Sequence, residues 1–135
     1  MEIGEMLRPE SPKEWRVWLA EHHQAKAEIW LVMYKLRSGK KNLSLLEAQE
    51  HALCFGWVDS TLKPVDDECY ALRFTPRRRN SNWGSSNKAL ALRMLREGRM
   101  STAGKGVLPP EVLTTWEKES RAKLRKRKDP QGTLP

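Results

Sequence analysis

Long apolar runs are absent from this chain. The longest, Ile29-Trp30-Leu31-Val32-Met33-Tyr34, falls far short of the roughly 20 residues a membrane-spanning helix needs, so no membrane insertion is expected. A basic start leading into an apolar stretch is also missing: Met1-Glu2-Ile3-Gly4-Glu5 marks no secretory leader, and the expected location is the cytoplasm. Cysteine is scarce. Cys54 and Cys69 are the two present, and in a reducing compartment both are expected as free thiols. Gly-x-x-x-x-Gly-Lys-Ser/Thr, Gly-x-Gly-x-x-Gly and Gly-x-Ser-x-Gly do not occur, which leaves nucleotide hydrolysis, dinucleotide redox chemistry and serine-hydrolase chemistry without support. Cys-x-x-Cys with paired histidines is absent too, and neither a metal nor a cofactor is expected.

Positive charge is what the chain has in excess. Its 135 residues, enough for one domain with its own core, carry 25 Lys and Arg against 17 Asp and Glu, a net charge of +8. The excess is localised. Residues 1–72 hold 9 basic and 12 acidic groups, 73–105 hold 9 and 1, 106–120 hold 1 and 3, and 121–135 hold 6 and 1. Such a chain attracts polyanions.

Local signals define the elements. Ser11-Pro12-Lys13-Glu14 combines a hydroxyl cap, a proline at the first helical position and a glutamate three after the cap, predicting a helix to about His23 with Trp15, Trp18 and Leu19 inward. Glu28 to Leu36 reads as a strand apolar on both faces, hence central or covered twice. Ser38 to Asn42 is a turn; Ser44 and Glu47 repeat the capping box and open a helix through Cys54, which Gly56 ends. Trp57 to Lys63 and Cys69 to Thr75 form a hairpin with Tyr70, Leu72 and Phe74 facing the core. A polar loop from Thr75 to Ser86 precedes a third helix, Asn87 to Glu97, capped by Ser85 or Ser86 and stopped by Gly98. Ser101 to Val107 supplies at most one turn, and Pro109-Pro110-Glu111 starts a fourth helix through Trp116. The expected architecture is α+β: a small single domain over 1–118, a short sheet with a hairpin packed on about four helices, then a basic, disordered tail over 119–135.

The loop concentrates the chemistry. Arg77, Arg78 and Arg79 pair with phosphates, Asn80, Ser81, Asn82 and Asn87 offer amide and hydroxyl groups, Trp83 a stacking surface and Lys88 a further cation, all beside a helix start whose free N–H groups favour anions. Alternatively these arginines are simply solvated and Trp83 plugs the loop into the core. Asp59 stands in a strand unfriendly to aspartate. A three-residue hairpin loop sets it opposite Arg73, which makes a cross-strand ion pair the simplest explanation; the sharper reading makes Asp59 a catalytic carboxylate or an anchor that aims an arginine at a ligand. His51 and Cys54, three apart on one helix, have the spacing of an activated thiol but no third group to orient them, and a histidine beside a buried cysteine is the simpler explanation.

Ala52 to Ser60, then Arg73-Phe74-Thr75-Pro76-Arg77-Arg78, Ser81-Asn82-Trp83 and Asn87-Lys88, with Gly98-Arg99-Met100 and Ala103-Gly104, resemble the YdeI/OmpD-associated family of bacterial proteins over roughly residues 10–118. The resemblance implies a stress- or bacteriocin-protection role and brings no catalytic residues. Arg79 stands where that family often has proline, and Gly84 where serine usually follows the tryptophan. The expected function is therefore non-enzymatic binding of a polyanion, DNA or RNA, by Arg73, Arg77, Arg78, Arg79, Asn82, Trp83, Asn87 and Lys88, reinforced by Arg121, Lys123, Arg125, Lys126, Arg127 and Lys128. Two alternatives stand beside it: an enzyme with Asp59 as acid or base and arginines gripping an anionic substrate, and a module that docks an acidic protein.

Overall fold

The computed structural model describes residues 1–79 and 81–128. Along the chain run β1 (Met6–Leu7), α1 (Pro12–His22), β2 (Ile29–Tyr34), a 3₁₀ turn (Leu36–Ser38), α2 (Leu45–Cys54), β3 (Trp57–Pro64), β4 (Cys69–Pro76), α3 (Ser85–Arg96), α4 (Thr102–Lys105) and α5 (Pro110–Lys128). The strands form one sheet in the order β1-β2-β4-β3, with β1 parallel to β2 and the other pairs antiparallel. This is a small α+β domain.

The capping signals act as their spacing predicts. Ser11 accepts from the Glu14 N–H at 3.3 Å, and Ser44 and Glu47 exchange both bonds of a capping box at 3.1 and 2.9 Å. Beyond α2 the chain turns at Gly56, whose φ of 75° lies in the left-handed region that glycine enters without strain.

β2 is central and covered on both faces. Ile29, Leu31 and Met33 join Leu72 and Phe74 beneath the helices, while Trp30 and Val32 join Cys69 and Ala71 in a smaller cluster on the reverse face. The main core is organised on indoles. Trp15 stacks on Trp18 at 5.7 Å and tilts against Phe74 at 5.2 Å, and Trp18 meets Trp57 edge-on at 5.8 Å. The Trp15 N–H, which burial would otherwise leave without a partner, donates to the Ala48 carbonyl at 3.0 Å and fixes α1 on α2.

Four expectations need correction. The residues paired across the hairpin are Pro64 and Tyr70, a longer connection than three residues, and a bulge between Asp59 and Leu62 moves the register back by one. Asp59 consequently faces Phe74, and Arg73 pairs instead with Glu28. α3 starts two residues before Asn87, with Gly84 at its N-cap and no side-chain capping bond. Two-residue β1 carries no sequence signal and was not expected. Finally, α5 continues to Lys128 through the segment expected to be disordered, and residues 129–135 lie outside the described ones. Arg and Lys are good helix formers, and Glu117 and Arg121 sit at i, i+4, so polarity alone did not preclude a helix there.

α4 docks on the end of α2. Both the N–H and the hydroxyl of Ser101 donate to the Cys54 carbonyl, at 2.9 and 2.5 Å. Gly104 packs so closely that a Cβ there would overlap the Cys54 carbonyl and the Met100 sulfur, whereas Gly84 has open space around it. Gly104→Ala is expected to cost about 1–3 kcal/mol in urea unfolding, and Gly84→Ala, which meets no overlap but puts a poorer residue at the N-cap, no more than about 1 kcal/mol.

Candidate functional site

The cationic loop leaves the sheet at Pro76. Its first residue is anchored: the Arg77 N–H donates to the Gly56 carbonyl at 2.7 Å. The Arg77 guanidinium lies over the Trp83 ring at 4.0 Å and donates to Ser81 Oγ at 3.1 Å and the Asn82 carbonyl at 3.2 Å. Among the described residues its buried Nε has no partner, and burial pushes its pKa down while the Asp59 charge acts the other way. Arg77 thus organises the loop from within. Trp83 packs against the main core and, with Arg79 and Ser81, lines a cleft of about 310 Å³ closed by residues 106–110. One face of the indole is taken by Arg77, so the plug role is realised and stacking is restricted to what remains exposed. Arg78 and Arg79 point to solvent, and among the described residues no carboxylate lies within ion-pair distance of either. Asn82 is exposed and Asn87 half-buried; Asn80 lies outside the described residues.

Much of the charge counted along residues 73–105 is neutralised in space. Of its nine basic residues, Arg73 pairs with Glu28, Lys88 with Glu111 at 2.9 Å, Arg93 with Glu50 and Glu97, Arg96 with Glu119 at 2.5 Å, and Arg99 with Glu50 and Glu97, leaving four outside such pairs. Lys88 is therefore a structural tie, and Arg73 sits on the sheet face opposite Phe74. Lys105 lies over the Trp116 ring at 5.0 Å.

Two of these pairs set the course of α5. Lys88–Glu111 and Arg96–Glu119 are eight residues apart on both helices, so α3 and α5 run parallel. α3 ends at Arg96, and α5 continues past it. Its side chains from Arg121 to Arg127 are exposed, and among the described residues only Arg121 has a carboxylate within reach, Glu117 at 4.0 Å. The sequence reading set Lys123, Arg125, Lys126 and Arg127 on a floppy arm; they stand instead on an exposed stretch of helix.

A charged cluster between α1, α2 and α3 escaped the sequence reading. Glu50, 7% exposed, receives Arg93 and Arg99, and the Arg99 carbonyl accepts from Arg16 at 2.7 Å. Its members come from residues 16 to 99, so no local pattern announces it. His51 and Cys54 lie beside it, and neither is activated. Burial pushes the Cys54 thiol up, and burial with the Arg99 and Arg16 charges lowers His51 to about 4. Asp59 is half-buried, Trp57 is 2% exposed, and neither lines the cleft that Trp83 borders. Among the described residues no group of three His, Cys, Asp or Glu side chains could hold a metal ion.

Fold and loop together define a small α+β domain bearing an internally braced cationic loop. The chain belongs to the family described as Domain of unknown function (DUF8412), whose model matches residues 7–107, from β1 through α4. Neither the curated proteins nor the solved structures yielded a match. The family assignment carries no ligand and stops short of α5. Among the described residues no helix is long and apolar enough to cross a membrane.

The buried imidazole yields a pH signature. His51 takes up a proton near 6.5 when unfolded but only near 4 when folded, so below 6.5 the unfolded state binds more protons and is favoured. Stability should therefore decline as pH falls from about 6.5 to about 4, with His51→Gln flattening that part of the profile and NMR titration of the ring showing the low midpoint.

Proposed function

We propose that the chain binds an extended polyanion, DNA or RNA, through two cationic patches at opposite ends of α5. The observation that carries this is selective pairing: most cations of the middle segment are matched by acids, while Arg78 and Arg79 in the loop and Lys123 to Arg127 on α5 are unmatched among the described residues. The loop borders Pro110, the first residue of α5, across the shared cleft. At 1.5 Å per residue, the unmatched cations of α5 begin roughly 20 Å and end roughly 26 Å further along the axis. A small anion cannot reach both patches. A nucleic-acid strand can, since that span corresponds to roughly six to eight phosphates.

Phosphate contacts then come from Arg78, Arg79 and the end of α5, with Asn82, Asn87 and the exposed part of Trp83 available to sugar or base. Arg73 and Lys88 drop out of the contact set because their charges are already matched. The resemblance of the loop to that of YdeI/OmpD-associated proteins supports a stress-protection setting.

With about five phosphate contacts, log affinity for duplex DNA should fall against log salt with a slope near −4 to −5, and Arg78→Ala with Arg79→Ala should reduce the slope by about 2. Binding indifferent to salt would exclude the mechanism. A helical arm makes a further demand. Ala122→Pro, which costs the local helix about 3 kcal/mol, should weaken binding several-fold while destabilising the rest of the domain in urea by no more than about 1 kcal/mol, through the neighbouring Arg96–Glu119 pair; wild-type affinity in that variant would mean the helix is irrelevant.

A further inference from the structure

A groove of about 810 Å³ lies between the 3₁₀ turn and the start of α2, remote in sequence from the loop and the arm. Its apolar surface comes from Tyr34, Leu36, Leu43, Leu45 and Tyr70. Lys35, Arg37, Lys40 and Lys41 also line it, and no acidic side chain does. Folding leaves Leu36 at 101% exposure and Leu45 at 47%, although both border a concavity that could cover them.

The cations divide into two pairs. Lys40 is held by Glu68 at 2.7 Å and lies over the Tyr34 ring at 5.8 Å, and Lys35 donates to the Asp66 carbonyl at 2.9 Å. Arg37 and Lys41 have no carboxylate in ion-pair distance among the described residues.

These features select a chemistry. A purely apolar ligand would leave Arg37 and Lys41 unused, and a nucleic-acid backbone would gain nothing from leucine side chains. The volume falls within the roughly 300–1,000 Å³ of pockets for small organic molecules, which favours a compact ligand over a protein segment. We propose that this groove binds a small apolar acid, an aliphatic or aromatic body with one anionic head. The body lies on Tyr34, Leu36, Leu45 and Tyr70, and the head meets Arg37 and Lys41.

Decanoate is a suitable probe, compared with decanol, which keeps the body without the charge, and acetate, which keeps the charge without the body. Titration by calorimetry and by amide chemical shifts should show saturable decanoate binding with shifts confined to residues 34–45 and Tyr70, and decanol and acetate at least about tenfold weaker. Arg37→Glu with Lys41→Glu should weaken decanoate by at least about tenfold. Leu36→Ser, at a side chain already in water, should weaken it without touching the fold. Equal binding of decanol and decanoate, decanoate shifts elsewhere on the molecule, unchanged affinity in the charge-reversed variant, or binding of an acidic leucine-rich peptide without binding of decanoate would each overturn the assignment. Arg37 and Lys41 take no part in the polyanion patches, so the salt dependence of DNA binding in the charge-reversed variant is expected to match wild type whichever way the decanoate experiment falls.

Discussion

Glu50 is the one carboxylate that folding takes almost wholly out of water among the described residues. An unpaired buried charge of this kind is costly, so its position dictates where cations must go. Arg93 arrives from α3 and Arg99 from just beyond it, and Arg99 in turn offers its carbonyl to Arg16 of α1. Three helices are thereby fixed relative to one another around a charge. The indole cluster of Trp15, Trp18 and Trp57 then fills the space between those helices and the sheet. What looks along the sequence like surface basicity is in large part the counter-charge of the interior and of neighbouring helices.

The same constraint sharpens the functional picture. If every cation of the middle segment were free, the whole surface there would be a diffuse attractor, and no site could be distinguished. Pairing matches Arg73, Lys88, Arg93, Arg96 and Arg99 with acids and leaves, among the described residues, a few cations without such partners, on which the proposed polyanion contact rests. Arg77, although the best-connected member of the loop, serves it by holding Trp83, Ser81 and the Asn82 carbonyl in place. Its neighbours project because it does not.

Local signals were legible and distant ones were not. Ser11, Ser44 with Glu47, and the left-handed glycines Gly56 and Gly98 marked element ends correctly because capping and positive φ act within four residues of their cause. The alternation in β4 identified its core face, and the double apolar pattern of β2 identified its central place. The hairpin register was missed because a bulge changes the count between strands without changing their composition. Ion pairs such as Arg73–Glu28 and Arg96–Glu119 join residues too far apart for a running charge count to anticipate. The end of α5 was read as a tail because it lacks an apolar face, although helix propensity and its continuity with the anchored first turns maintain it.

The bulge in β3 has a consequence for how this molecule meets others. Both margins of the sheet are blunted: β1 offers only Met6 and Leu7, and β3, the opposite margin, is interrupted between Asp59 and Leu62 and terminated by Lys63-Pro64. A foreign strand seeking to extend the ladder would find an uneven row of donors and acceptors, then a residue with no N–H. Recognition by backbone pairing is thus disfavoured at both margins, and so is edge-to-edge stacking of the domain with its own copies, even where neighbouring charges are screened.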